Sequence, residues 1–148
     1  MVAGCGLGTG EYTDAVLDGA SNLNRGKTEK ALKDFNRAIK IDPTHPDGYL
    51  GRADTLNTMK RFEESLQDYN RALEINPSLA KAYVNRATAY SQLGQYKKAI
   101  ADYEKGLELD PKIDNKPSFF KRLFSNDPNT EKGIRKHLES LKQKVKDS

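Results

Sequence analysis

The chain has few of the residues that most metal and disulfide-stabilised sites require. Its 148 residues include one cysteine, Cys5, and two histidines, His45 and His137. Within one chain this composition excludes a disulfide framework and a cysteine-based zinc site, and we expect no bound metal. No uncharged apolar run approaches the roughly 18 residues that a membrane-spanning helix needs. The sequence therefore predicts neither a disulfide-rich nor a membrane-spanning protein.

Apolar residues are also scarce, while charged residues are abundant. Hydrophobic residues make up 36% of the chain and charged residues 31%, against about 25% charged in an average domain. So little apolar material predicts an elongated structure with a thin core. The net charge of +4 comes from residues 112–148, which hold ten basic and five acidic residues. Residues 1–111 hold 15 basic and 16 acidic residues and are nearly neutral.

Related segments recur along the chain with a fixed period of about 34 residues. Pro43, Pro77 and Pro111 are evenly spaced and end the segments Ile-Lys-Ile-Asp-Pro, Leu-Glu-Ile-Asn-Pro and Leu-Glu-Leu-Asp-Pro. Each repeat reads as two helices, because apolar residues recur at spacings of three and four on either side of a break. The matched columns include Phe35/Tyr69/Tyr103, Gly19/Ala53/Ala87 and Asp34/Asp68/Asp102.

These columns resemble the tetratricopeptide repeat family. The third repeat, Ala80 through Pro111, carries nearly every family position, and the second departs at Leu56 and Lys60. The first repeat matches from Gly26 onward, and its first helix is predicted either to cap the repeats or to be rearranged. The resemblance implies an all-α fold, a right-handed superhelical solenoid of antiparallel helix pairs.

The sequence divides into three regions. A flexible glycine-rich leader is predicted over 1–11, three repeats over 12–45, 46–79 and 80–113, and a C-terminal region over 114–148. The C-terminal region contains a Phe-rich segment, Phe119 to Phe124, and a basic amphipathic helix from about Thr130. These elements are predicted to cover the last repeat; the alternative is that they dock a partner.

No motif in the sequence predicts catalysis. Arg25-Gly26-Lys27-Thr28 is similar to the end of a phosphate-binding loop, but Ser21 stands where that loop needs glycine. The glycines between Gly4 and Gly10 lack dinucleotide-binding spacing. We therefore expect no enzyme activity and no cofactor. The aspartate column is predicted to form surface ion pairs with Arg37, Arg71 and Lys105, three positions further along each helix.

The resemblance implies a protein-interaction module that holds a partner peptide or helix in a concave groove lined by the first helix of each repeat. The residues assigned to this groove are Asp47, Leu50, Asp54, Asn57, Lys81, Val84, Asn85, Thr88 and Gln92.

Family members that clamp the acidic C-terminus of heat-shock chaperones carry a Lys/Asn pair in an early helix. Here Val16 and Ala20, or Leu50 and Asp54, occupy those places. Asp47 and Asp54 would also repel a carboxylate. We therefore expect no clamp for a chaperone tail.

Two alternative functions stay open from the sequence. One is a self-associating assembly scaffold, a homo-oligomer held together through Phe119–Phe124 or through a mispaired end helix. The other is a bacterial membrane-anchored lipoprotein adaptor, because Val2-Ala3-Gly4-Cys5-Gly6 matches the residues around a lipoprotein cleavage site. A cytoplasmic location is favoured over a periplasmic one with Cys5 as the lipidation site. Membrane attachment is expected only in that second case, and no specific nucleic-acid binding is expected.

Overall fold

The computed structural model describes residues 7–113 and 133–147, and within them every regular element is a helix. The described chain divides into two compact units, an N-terminal unit that ends at Pro77 and a C-terminal unit that begins at Ser78. The helices are α1 (Leu7–Asn24), α2 (Thr28–Ile41), α3 (Pro46–Thr58), α4 (Phe62–Ile75), α5 (Ala80–Gln92), α6 (Tyr96–Leu109) and α7 (Gly133–Lys146).

The repeated proline sets the end of each helix pair. Helices α2, α4 and α6 are each followed by an extended residue, Asp42, Asn76 or Asp110, whose N–H donates to the carbonyl four positions earlier. The next residue is proline, which has no N–H and cannot continue the helix. This local chemistry separates one hairpin from the next.

The turn inside each helix pair passes through one residue with a positive φ. Gly26 has a φ of 73° and Gly94 of 72°, but in the second pair this residue is Lys60, with a φ of 62°. A residue with a Cβ is strained in this left-handed region, whereas glycine is not.

The N-terminal unit packs around the ring of Phe35. Helix α1 packs on α2, α2 on α3 and α3 on α4. The Phe35 ring, 2% exposed, lies against the backbone of both neighbouring first helices. A Cβ added at Gly19 would lie 2.8 Å from the ring, and one at Gly51 would lie 2.1 Å from it. Two glycines thus allow α1 and α3 to approach one aromatic side chain.

Helix α1 is also joined to the start of α3 through Tyr12. The Tyr12 hydroxyl lies 2.9 Å from Nδ1 of His45, and the Gly48 N–H donates to the same hydroxyl oxygen at 3.2 Å. Tyr12 is buried with Ala15 and Ala38. The first helix is therefore formed and packed, and it begins at Leu7. Residues 7–11, assigned to the flexible leader from the sequence, are helical instead.

The C-terminal unit has an apolar core shared by α5, α6 and α7. Tyr103 is fully buried, and Ile134, Leu138 and Leu141 of α7 are 4%, 5% and 1% exposed. These α7 side chains form one cluster with Val84, Ala87, Tyr103, Leu107 and Ile113. Helix α7 thus covers the last hairpin. The Phe119–Phe124 segment and Cys5 lie outside the described residues.

None of the helices within 7–113 and 133–147 is both long enough and apolar enough to cross a bilayer.

The close approach at Gly51 predicts that replacing it with alanine destabilises the N-terminal unit. The new methyl group would overlap the Phe35 ring, and overpacking of this kind costs about 1–3 kcal/mol. Gly10 in α1 is the matched control, because a Cβ there meets nothing within 4 Å. We expect G10A to stabilise by about 0.5–1 kcal/mol. Urea unfolding of both variants measures the difference; equal stabilities would contradict tight packing at Gly51.

The positive φ of Lys60 predicts that K60G stabilises the chain. Relief of left-handed strain gains roughly 1–2 kcal/mol, and the greater freedom of glycine in the unfolded chain offsets part of it. The reverse change at the equivalent position, G94K, should destabilise for the same reason. Thermal unfolding followed by circular dichroism compares the two. A K60G variant that melts below the wild type would contradict the prediction.

Candidate partner-binding surface

The residues assigned to the groove lie on α3 in the N-terminal unit and on α5 in the C-terminal unit, and the structure divides them by exposure. Lys81 and Gln92 are exposed, the Asp47 side chain is 48% exposed, and Leu50 is half-buried. The remaining five are at most 3% exposed, and these are Asp54, Asn57, Val84, Asn85 and Thr88. Only the first four side chains are available to a partner without rearrangement of the helices.

Asp54 and Asn57 of α3 face α4 of their own hairpin. The hydroxyl of Tyr69 donates to Oδ1 of Asp54 at 2.8 Å, and both residues are buried. Nδ2 of Asn57 lies 3.4 Å from the same hydroxyl oxygen. Burial, followed by the nearby Asp54 charge and the hydrogen bond to it, raises the pKa of Tyr69 well above its usual value of 10. The Tyr69 phenol therefore stays protonated and acts as a donor.

Val84 and Thr88 of α5 face α6 in the same way. Thr88 Oγ1 lies 3.1 Å from the carbonyl oxygen of Val84 and 3.0 Å from the hydroxyl of Tyr103. Thr88 has one hydroxyl proton, which it donates to the carbonyl, so Tyr103 donates to Thr88. Val84 lies in the apolar core, and a Cβ at Gly106 would be 2.6 Å from its Cγ2.

In all three repeats, the aromatic residue of the second helix is matched to the residue at the facing position of the first helix. The aromatic column of the second helices reads Phe35, Tyr69 and Tyr103. The facing position on the first helix of the same repeat holds Ala20, Asp54 or Thr88. The tyrosines thus face an acceptor, while the phenylalanine, which has no hydroxyl, is matched with alanine. Burying a phenol without an acceptor would cost free energy.

In the second and third repeats the aspartate column forms ion pairs across the hairpin, not along one helix. Arg52 donates to Asp68 through Nε at 2.6 Å and Nη2 at 2.7 Å. Arg86 makes the same two-bond contact with Asp102 at 2.7 and 2.8 Å. The predicted pairs were wrong, and the physical reason is geometric. A planar guanidinium from the facing helix meets the carboxylate with two parallel hydrogen bonds.

The three basic residues expected to pair with this column contact other acids. Arg71 pairs with Glu74 at 3.0 Å and Lys105 with Glu108 at 3.0 Å, both exposed. Arg37 contacts Asp18 of α1 at 3.1 Å.

The first repeat replaces the arginine of this pair with Asp18. Two carboxylates, Asp18 and Asp34, would otherwise face each other across the hairpin. Asn22 relieves this by donating to Asp34 at 2.7 Å, while Arg37 binds Asp18 at 3.1 Å.

The sequence itself contains a signal for the cross-hairpin pairs. Arg52 and Arg86 occupy the same position in successive repeats, and so do their partners Asp68 and Asp102. Each arginine therefore precedes its aspartate by the same number of positions. A recurring arginine at a fixed distance before a recurring aspartate indicates a contact between the two helices of each hairpin.

Within 7–113 and 133–147 no three side chains of histidine, cysteine, aspartate or glutamate come together in a way that could hold an ion.

Two family models match the repeats of this chain. The family model for the tetratricopeptide repeat matches residues 80–113. A second model, described as TPR repeat, matches residues 23–60 and 53–94. Together these matches span more than half of the chain. No curated protein sequence matches it significantly.

Three solved structures illustrate the structural likeness. The first TPR of Spaghetti (RPAP3) bound to HSP90 peptide SRMEEVD has a TM-score of 0.74 at 24% identity, covering 91% of this chain and 93% of that one. The Arabidopsis OM64 TPR domain has a TM-score of 0.71 at 27% identity, with 88% and 98% covered. The TPR2B-domain:pHsp70 complex of yeast Sti1 has a TM-score of 0.72 at 23% identity, with 90% and 98% covered. These findings confirm the predicted fold class, an all-α helical repeat superhelix.

The buried tyrosines predict a loss of stability above pH 10. Burial raises the pKa of both Tyr69 and Tyr103, and that of Tyr12 to about 12. Their stabilising contribution is complete below the unfolded pKa of about 10. It falls as pH rises, by up to about 1.4 kcal/mol per pH unit for each tyrosine, because only the unfolded phenols ionise there. Urea unfolding between pH 8 and 11 measures this slope.

Two variants separate the contributions of the tyrosines. Y103F removes one titrating group and should flatten the alkaline slope, at a cost near pH 7 of only about 0.5–1.5 kcal/mol. Y69F should cost more at pH 7, because buried Asp54 loses the Tyr69 donor. An unchanged slope in both variants would contradict the assignment.

Proposed function

Because the chain belongs to the tetratricopeptide repeat family, we propose that it is a non-enzymatic module that binds a peptide or helical segment of a partner protein. The observation that carries this proposal is the match of the repeats to the family models over residues 23–113. The first helices α3 and α5 supply exposed or half-buried side chains for such contacts, while their buried side chains hold the hairpins together.

The similar structures support a peptide partner. The Spaghetti domain is described as bound to an HSP90 peptide, and the yeast Sti1 domain as a complex with pHsp70. Those ligands belong to those proteins. What they support here is that stacked helix pairs of this length hold short peptides.

Exposure determines which residues of this chain make the contacts. We assign partner contact to Asp47 and Leu50 in the N-terminal unit and to Lys81 and Gln92 in the C-terminal unit. We assign Asp54, Asn57, Val84, Asn85 and Thr88 a positioning role, because their side chains are buried. Substituting this second group would lower stability and binding together, so it cannot test the site.

The acidic tail of a chaperone does not fit these positions well. Val16 and Ala20 stand where a Lys/Asn pair would hold a carboxylate, and Asp47 carries a negative charge of its own. We propose that the partner segment is a different one. The lipoprotein alternative depends on Cys5, and one form of the scaffold alternative depends on Phe119–Phe124; both lie outside the described residues.

The proposal predicts that D47A/K81A loses partner binding without losing stability. Selection of a displayed library of random dodecapeptides on the wild-type chain supplies the ligand, and calorimetry measures its affinity. We expect the double variant to bind at least tenfold more weakly, with a melting temperature within about 3 °C of wild type, because exposed substitutions cost little stability.

The matched control is K33A/E63A, which removes one exposed base and one exposed acid from the second helices α2 and α4. It should bind the selected peptide as the wild type does. Failure to select any peptide, or equal losses in both double variants, would refute the proposed site.

A further inference from the structure

We propose that the first helices of the N-terminal unit, α1 and α3, dock a cationic segment that presents an aliphatic or aromatic side chain. This inference rests on the proposed function and gives the partner's chemistry at part of the same site. The partner it requires is positively charged, whereas a chaperone tail that ends in a carboxylate is negatively charged. Three observations carry it: an exposed apolar patch, the way the core shapes that patch, and the charge around it.

The apolar patch is centred on Leu17. Among the side chains described in 10–113 and 133–147, only Leu17 and Leu109 are large, hydrophobic and exposed, at 61% and 38%. Three other apolar residues on the same two helices are half-buried: Val16, which packs against the buried Tyr12 cluster, Ala20 on α1 and Leu50 on α3.

Periodicity places these residues at equivalent positions. Leu50 takes the place of Val16 in the next repeat, Gly51 takes the place of Leu17, and α1 contacts α3 directly. Gly51 has no side chain because the Phe35 ring occupies the space where its Cβ would lie. Core packing therefore leaves α3 bare at the position equivalent to Leu17. No side chain therefore stands next to Leu50 at position 51 of α3.

The charge on the same two helices is acidic. Helices α1 and α3 contain five acids, Glu11, Asp14, Asp18, Asp47 and Asp54, and one base, Arg52. Arg52 does not offset them towards solvent, because it forms a two-bond ion pair with Asp68 of α4.

Two of these acids are neutralised or buried within the unit. Asp18 pairs with Arg37, and Asp54 accepts from Tyr69. Glu11 and Asp14 are exposed, and the Asp47 side chain, which lies 3.5 Å from Nδ1 of His45, is 48% exposed. Exposed apolar and acidic side chains on the same two helices are complementary to leucine- or phenylalanine-like side chains flanked by arginine or lysine.

Three synthetic probes test this chemistry by calorimetry on the full chain. The first is an acetylated, amidated octapeptide that alternates leucine and arginine. The second replaces each leucine with serine, and the third is the acidic pentapeptide Met-Glu-Glu-Val-Asp. We expect the leucine–arginine peptide to bind at least tenfold more tightly than either other probe. Its affinity should also fall as NaCl is raised from about 50 to about 300 mM, because surface charges are screened.

Matched variants locate the binding. L17S should weaken the leucine–arginine peptide about tenfold, while L109S, which changes the other exposed leucine, should not. D14N/D47N should weaken it and reduce its salt dependence. E29Q/E63Q removes the same charge from α2 and α4 and should leave the affinity unchanged. All four substitution sets change side chains that are exposed or half-exposed, so the fold should tolerate them.

The outcomes separate this inference from the proposed function. Tight binding of the acidic pentapeptide, or equal effects of L17S and L109S, would overturn the cationic assignment. The cationic assignment would also be overturned if the leucine–arginine probe did not bind while a library-selected peptide still depended on Asp47 and Lys81. In that case the proposed function would stand. If no peptide of any composition binds, both are refuted.

Discussion

The structure depends on how each second helix places one aromatic ring beneath the first helix of its hairpin. The ring lies so close to the first helix that the facing residue must match it in both size and hydrogen bonding. Phe35 requires glycine at position 19 of its own hairpin and also at position 51 on the first helix of the next one. Tyr69 and Tyr103 require an acceptor, supplied by Asp54 and Thr88. This contact determines which first-helix side chains are committed to the core, and so which are left to meet a partner.

Charged side chains are also divided between those that join the two helices of a hairpin and those that remain on its surface. The arginine–aspartate pairs of the second and third repeats join two helices of one hairpin, with aspartates only 9% and 11% exposed. Such charges need a partner with good geometry to offset the loss of water. The first repeat, with aspartate in place of arginine, recruits Asn22 and Arg37 instead. The same hairpin is thus held by a different set of polar contacts.

Much of the fold could be predicted from the sequence, because the repeat period, the prolines and the turn residues act locally. The site was harder to predict. Asp54 and Asn85 are polar residues on a first helix, which suggested a partner-facing role, yet they are 3% and 2% exposed. Periodicity within one helix does not tell which neighbour a polar face meets. Comparison between helices does: Phe35 with Ala20, Tyr69 with Asp54 and Tyr103 with Thr88 were readable as matched pairs.

The column formed by Leu17, Gly51 and Asn85 shows how repeats of one design can differ in what they present. Asn85 is buried, at 2% exposed, so its polar group is not offered to solvent. Gly51 is dictated by the Phe35 ring. Leu17 is neither buried nor pressed against the Phe35 ring, because Gly19 makes the contact of α1 with that ring. The Leu17 side chain is 61% exposed. A position released from the core can change without cost to the fold. Partner specificity in this chain is therefore expected to reside at first-helix positions that do not contact the aromatic residues of the second helices.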